Sequence, residues 1–121
     1  MPALPLVTVV DDDESVRESL PDLLRVSGFE ARAFESAETF LASDCLDRTD
    51  CLILDVAMPG MSGPELHEEL MQRRIEIPTV FITARHDQPV RRRLIELGAV
   101  ECLFKPFSEA ALLQAIRAAL Q

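Results

Sequence analysis

Three apolar runs of strand length in this chain end in charge. Leu6-Val7-Thr8-Val9-Val10 leads into Asp11-Asp12-Asp13, Cys51-Leu52-Ile53-Leu54 into Asp55, and Val100-Glu101-Cys102-Leu103-Phe104 into Lys105-Pro106. A strand that is apolar throughout has to be covered on both faces, which calls for a parallel sheet between two layers of helices. In such a sheet the strands leave the core at one edge, and ligands bind at that edge. Neighbouring parallel strands would therefore gather carboxylates and an ammonium in one place, against the mutual repulsion of the acids.

The rest of the chain alternates strand and helix. Strands are expected over 6–10, 29–34, 51–55, 79–83 and 100–104. A first helix over 14–27 carries Val16, Leu20, Leu23 and Leu24 on one stripe and stops at Gly28. Pro21 lies inside it, and its missing donor and ring clash predict a kink or an early break. Ser36 caps a short helix over 37–43, with Thr39 in place of the usual capping-box acid. Pro64 suits the first turn of a third helix bearing Leu66 and Leu70, after the turn-forming loop Met58-Pro59-Gly60-Met61-Ser62-Gly63. A fourth helix runs from Asp87 to Gly98, and a fifth starts at Ser108 and carries Leu112, Leu113, Ile116 and Leu120. Strict alternation with short connections gives one domain over 1–121, an α/β fold with a single doubly wound parallel sheet of five strands and five helices.

Composition narrows the function. The 121 residues are 48% hydrophobic and 27% charged, as in a globular domain, and the formal net charge of −9 opposes direct binding to nucleic acid or an anionic membrane. No apolar stretch is long enough to span a bilayer, and the N-terminal residues lack the pattern of a signal peptide. Cys45, Cys51 and Cys102 are an odd set without paired spacing, which reads as reduced core thiols and a cytoplasmic location.

A single aspartate after a strand is most often a helix cap, a threonine at a strand end a simple β-former, and a lysine before proline a solvated charge. Asp11, Asp12, Asp55, Thr83 and Lys105 matter because they stand together at four strand ends. Asp11, Asp12, Asp55 and Lys105 sum to a charge of −2, which one divalent cation cancels. Ligands that are all oxygen suit Mg²⁺, and a Mg²⁺ with open positions suits phosphoryl transfer. A carboxylate can itself accept the phosphoryl group, with the Thr83 hydroxyl and the Lys105 ammonium as donors to its oxygens.

Over nearly its whole length the chain resembles the receiver domain of two-component response regulators. The matching pieces are Val9-Val10-Asp11-Asp12, Asp55 with Met58-Pro59-Gly60-Met61-Ser62-Gly63, Ile82-Thr83-Ala84, and Gly98-Ala99 with Lys105-Pro106-Phe107. Leu97-Gly98-Ala99-Val100 and Lys105-Pro106-Phe107 are most similar to the nitrogen-fixation-type subgroup, which usually carries a C-terminal helix-turn-helix domain. The resemblance implies strand order 2-1-3-4-5 and a phosphorylation-dependent switch rather than an enzyme. It implies Asp55 as phosphoacceptor, Asp12 as direct Mg²⁺ ligand, Asp11 as second acid and the Ala57 carbonyl as a further ligand. It also implies Thr83 and Lys105 as phosphoryl contacts, a cis Lys105–Pro106 bond, a sensor histidine kinase as donor, and a homodimer or output surface on the fourth helix, fifth strand and fifth helix.

The chain departs from the family three residues before the lysine. A switch aromatic is usual there, and Cys102 stands in its place. Strand parity puts Phe104 on the same face, about 7 Å further along, where it either takes over part of the switch or only packs. Asp13 and Glu14 suit the start of the first helix better than a metal. Arg91-Arg92-Arg93 reads as a solvated helix face, or as acid-pairing residues in a dimer. His67 and His86 stand alone, and His86, in the loop after Thr83, reads as a surface histidine over one at the pocket mouth. Two other functions compete. Asp11-Asp12-Asp13 has the D-x-D spacing of a haloacid-dehalogenase-like phosphatase with Asp11 as nucleophile, although Glu14 breaks that pattern. A degenerate receiver that works without phosphorylation is the other.

Overall fold

The computed structural model describes residues 3–121. Its strands are β1 (Leu6–Val10), β2 (Glu30–Phe34), β3 (Cys51–Asp55), β4 (Thr79–Thr83) and β5 (Glu101–Phe104). Its helices are α1 (Glu14–Val26), α2 (Ala37–Leu41), α3 (Gly63–Gln72), α4 (Gln88–Glu96) and α5 (Glu109–Ala119). All neighbouring strands are parallel, in the order β2-β1-β3-β4-β5, so the expected alternation and strand order hold. Element ends shift by a residue or two from the sequence reading, and α2 stops at Leu41 rather than 43.

The two-residue period of the strands divides the core. Val7, Val9, Ile53, Val80 and Ile82 face α1 and α5, meeting Leu20, Leu24, Leu112 and Ile116. Leu6, Val10, Leu52, Leu54 and Phe81 face α2, α3 and α4, meeting Phe40, Leu66, Leu70 and Leu94. β1, β3 and β4 are buried at every position, because helices cover both of their faces. Full burial of each large aliphatic side chain contributes ~1.5–3 kcal/mol, which makes these three strands the thermodynamic centre.

One local expectation is corrected. α1 does not break at Pro21 but continues to Val26. Pro21 is buried along with Leu20 and Leu24, so its ring is removed from water. That burial offsets the lost hydrogen bond and ring clash, which together cost about 3 kcal/mol in a helix without such packing.

Gly63 fixes α3 against the end of β3. A Cβ there would lie 2.1 Å from the Asp55 carbonyl oxygen, and that neighbour is backbone that cannot swing aside. Ser62 caps α3 by accepting from the Glu65 amide, and Glu65 accepts in return from the Ser62 amide, which completes a capping box. Gly63→Ala is therefore expected to destabilise the domain by at least about 1–3 kcal/mol, read as a lower midpoint in urea. An unchanged midpoint would show that α3 is free to back away from β3.

Candidate functional site

The C-terminal ends of β1, β3, β4 and β5 bring together the side chains singled out in the sequence. Asp11 follows β1 and is fully buried, Asp55 ends β3 at 6% exposure, and Thr83 ends β4 at 5%. Asp12 lies beside them and is exposed. Lys105, just past β5, reaches across the edge to both buried acids. Its Nζ donates to Asp11 Oδ2 at 2.9 Å and lies 3.7 Å from Asp55 Oδ1. The remaining Asp11 oxygen, Oδ1, accepts from the Asp13 amide at 2.9 Å. The Lys105–Pro106 bond is cis, as the resemblance implied.

Electrostatics at this edge are strained in one direction. Burial, then the neighbouring charge of Asp11, pushes the Asp55 carboxyl up from 3.8 to about 7, although Lys105 pulls the other way. Burial alone would lower Lys105, but the hydrogen bond and charge of Asp11, with Asp55 and Asp13 behind, hold it above its ordinary value. One ammonium does not neutralise three acids. Asp11, Asp12 and Asp55 each offer a carboxylate oxygen, and these atoms lie within 4.8 Å of one another. The donor set is hard oxygen with surplus negative charge and no thiolate or imidazole, which fits Mg²⁺.

Other acids take local roles. Asp13 caps α1, accepting from the Ser15 amide at 2.9 Å and the Ser15 hydroxyl at 2.7 Å, and Glu14 opens the first turn. The phosphatase reading loses its basis here. Asp11 has both oxygens engaged and no exposure, and the second aspartate of the D-x-D pair is occupied with the helix cap.

The site also rests on contacts that the sequence did not reveal. Arg17 of α1 turns back so that its Nη1 donates to the Asp11 carbonyl at 3.0 Å. Glu38 of α2 accepts from the Met61 amide at 3.0 Å and so holds the tip of the loop containing Ala57. The Glu38 contact joins segments 23 residues apart, the Arg17 contact is local to the β1–α1 turn, and no motif marks either. The arginine run on α4 divides in a way the sequence did not suggest. Arg91 is half-buried, donates to the Cys102 carbonyl at 3.1 Å and pairs with Glu101, whereas Arg92 and Arg93 are exposed.

Cys102 is buried in the core facing α4, where burial pushes its thiol up. Its strand partner is Phe81, whereas Phe104 stands directly opposite Thr83. The aromatic ring at this edge is thus two residues nearer the acids than the position of Cys102. His86 is exposed but not isolated: its ring stacks on Phe104 with centroids 4.8 Å apart.

A five-stranded doubly wound sheet with an acidic cluster, a hydroxyl and an ammonium at its C-terminal edge is an α/β domain with a polar ligand site at that edge. A family model, the response regulator receiver domain, matches residues 7–117, and the chain belongs to that family. Receiver domains are phosphorylation-dependent switches of two-component systems, and they bind Mg²⁺ in the acidic pocket. The chain is 46% identical over 116 residues to nodulation protein W of Bradyrhizobium diazoefficiens, covering 96% of this chain and 51% of that protein. It is 44% identical over 121 residues to the transcriptional regulatory protein FixJ of Azorhizobium caulinodans, covering 99% and 57%. Among solved structures, the response regulator StyR matches at 53% identity with a TM-score of 0.90, over 98% of this chain and 60% of that one. The N-terminal part of FixJ matches at 37% identity with a TM-score of 0.86, over 99% and 95%. The chain thus spans about half the length of these curated relatives.

The raised Asp55 carboxyl has a consequence for stability. Between about pH 4 and 7 the folded chain holds a proton there that the unfolded chain has released. This contribution is complete below pH 4 and disappears as the pH rises through 7. Asp55→Asn is therefore expected to be more stable than the parent at pH 8, by on the order of 1 kcal/mol, with the gap closing by pH 4. Urea titrations at the two pH values measure this, and an equal gap at both would contradict it.

Proposed function

We propose that this domain takes a phosphoryl group onto Asp55 from the phosphohistidine of a sensor kinase. The carboxylate oxygen of Asp55 attacks phosphorus as the bond to the histidine nitrogen breaks, and the imidazole leaves with the bonding electron pair. The observation that carries this reading is the placement of Asp55: nearly buried, raised to about 7, yet 3.7 Å from the Lys105 ammonium. Asp11, Asp12, Asp55 and the Ala57 carbonyl would hold Mg²⁺. When bound, Mg²⁺ offsets negative charge on the acids and on the incoming phosphoryl oxygens. Lys105 and the Thr83 hydroxyl supply hydrogen-bond donors to those oxygens. Asp55 is thereby favoured in its charged, nucleophilic form just when the donor arrives.

The output reading rests on the far side of β5. α4 leaves Val90, Ile95 and Leu97 exposed together with Arg92 and Arg93, beside the β5 strand that Arg91 contacts. Such a face suits a second copy or an output domain, with the two free arginines orienting the partner more than tightening it. The relatives named transcriptional regulators extend well beyond the matched region, which supports a helix-turn-helix output in the whole protein. Three buried free thiols support a cytoplasmic setting. The placement of Phe104 opposite Thr83 favours Phe104 over Cys102 as the residue that carries the switch.

Incubation with acetyl phosphate, followed by intact mass, tests the chemistry. One phosphoryl group is expected with Mg²⁺, with at least tenfold less without it and none on Asp55→Asn. Labelling that survives the substitution would place the acceptor elsewhere. For the output, Phe104→Ala is expected to weaken phosphorylation-linked self-association at least several-fold, and Cys102→Ala to leave it within twofold. Sedimentation of labelled and unlabelled protein measures both, and the reverse order would return the switch to position 102.

A further inference from the structure

His86 joins two segments of the site that are otherwise separate in sequence. Its imidazole stacks on Phe104 with an interplanar angle of 25°, and its Nε2 lies 3.3 Å from the Lys105 carbonyl. The loop that carries His86 starts at Thr83, whose hydroxyl accepts from the Arg85 amide at 3.2 Å. The turn on the other side carries Lys105, whose amide donates to the Thr83 carbonyl at 2.7 Å. One continuous set of contacts therefore runs from the Thr83 hydroxyl through three residues of loop to the His86 ring, then to Phe104 and the backbone of Lys105.

We propose that His86 is a positioning residue that makes the Thr83 hydroxyl and the Phe104 ring move together. This rests on the reading of Asp55 as phosphoacceptor. A phosphoryl group on Asp55 offers oxygens that Thr83 can reach only as a donor. When the hydroxyl turns toward them, its lone pair leaves the Arg85 amide. That freed amide sits one residue before His86, so the loop shifts and the imidazole slides on the Phe104 face. The ring of His86, supplied by the loop, thus does what a strand aromatic at position 102 would do, and the buried Cys102 is free to be small.

Two histidines in the chain make this directly readable, because only His67 and His86 give imidazole ring-proton signals. His67 serves as the internal reference, since it is half-buried and packs edge-on against Phe81, away from the acidic strand ends. In proton NMR the His86 signals are expected to be displaced by the Phe104 ring current in the chain alone. Adding Mg²⁺ and beryllofluoride, a phosphoryl mimic, is expected to move them by at least several line widths and to leave those of His67 nearly fixed. Phe104→Leu should shift the unloaded His86 signals toward free histidine. Thr83→Ala should load more weakly, and at saturating beryllofluoride it should lack most of the His86 response. His86 signals that stay put on fully loaded protein, or that move equally in Thr83→Ala, would overturn the proposal alone. Failure of acetyl phosphate to label Asp55, read separately by mass, would overturn the underlying site reading and this proposal with it.

Discussion

A carboxylate removed from water needs an opposite charge, and in this domain the ammonium of Lys105 supplies it to Asp11 across the end of the sheet. The contact spans almost the whole chain, from the end of β1 to the end of β5, and it is short at 2.9 Å. Leaving a buried charge without its partner costs roughly 3–5 kcal/mol, so the β5–α5 turn and the β1–α1 turn are held to one another by a large penalty. The same ammonium is shared with Asp55 at 3.7 Å. Burial, then the neighbouring charge of Asp11, raises the Asp55 carboxyl to about 7, and one ammonium between two buried acids does not bring it back down. Stability and reactivity have a common origin here. The fold tolerates excess negative charge because Lys105 offsets part of it, and the remainder makes the pocket receptive to a cation.

The elements around the pocket follow from the same constraint. Gly63 lets α3 pack against the Asp55 carbonyl, which keeps the end of β3 from drifting. Arg17 and Glu38 take up a backbone carbonyl and a backbone amide at the two loops that flank the acids. On the β4 side, the β4–α4 loop and the Lys105 turn touch through the Thr83 carbonyl and through His86. A contiguous set of contacts therefore joins the end of β4 to the Lys105 turn, and none of them involves the side chain at position 102.

The strand ends were legible in the sequence because burial on both faces leaves a pattern that periodicity detects, and each charge that stops it is conspicuous. Asp11, Asp12, Asp55, Thr83 and Lys105 were found in this way, and their convergence followed from parallel topology alone. Helix starts at Asp13, Ser36, Asp87 and Ser108 are real caps, because capping is a local property of a few residues, whereas the Ser62 cap was read only as part of a turn. What depended on tertiary packing was harder to read. Pro21 looked like a break because propensity sees only the lost hydrogen bond, not the buried surface of its ring. Arg91 looked like part of a solvated run because its partner, Glu101, lies on another element. His86 looked isolated because its stacking partner is reached only when the loop after β4 folds back over β5.

Asp55 is a buried acid beside another acid, and the pocket resists its charge until a cation arrives. Carbon-13 NMR of the side-chain carboxyl, followed against pH with and without Mg²⁺, measures that property at the atom concerned. The predicted result is titration of Asp55 near pH 7 in the chain alone, with a marked fall when Mg²⁺ is added. Titration in the ordinary aspartate range, unmoved by Mg²⁺, would contradict it.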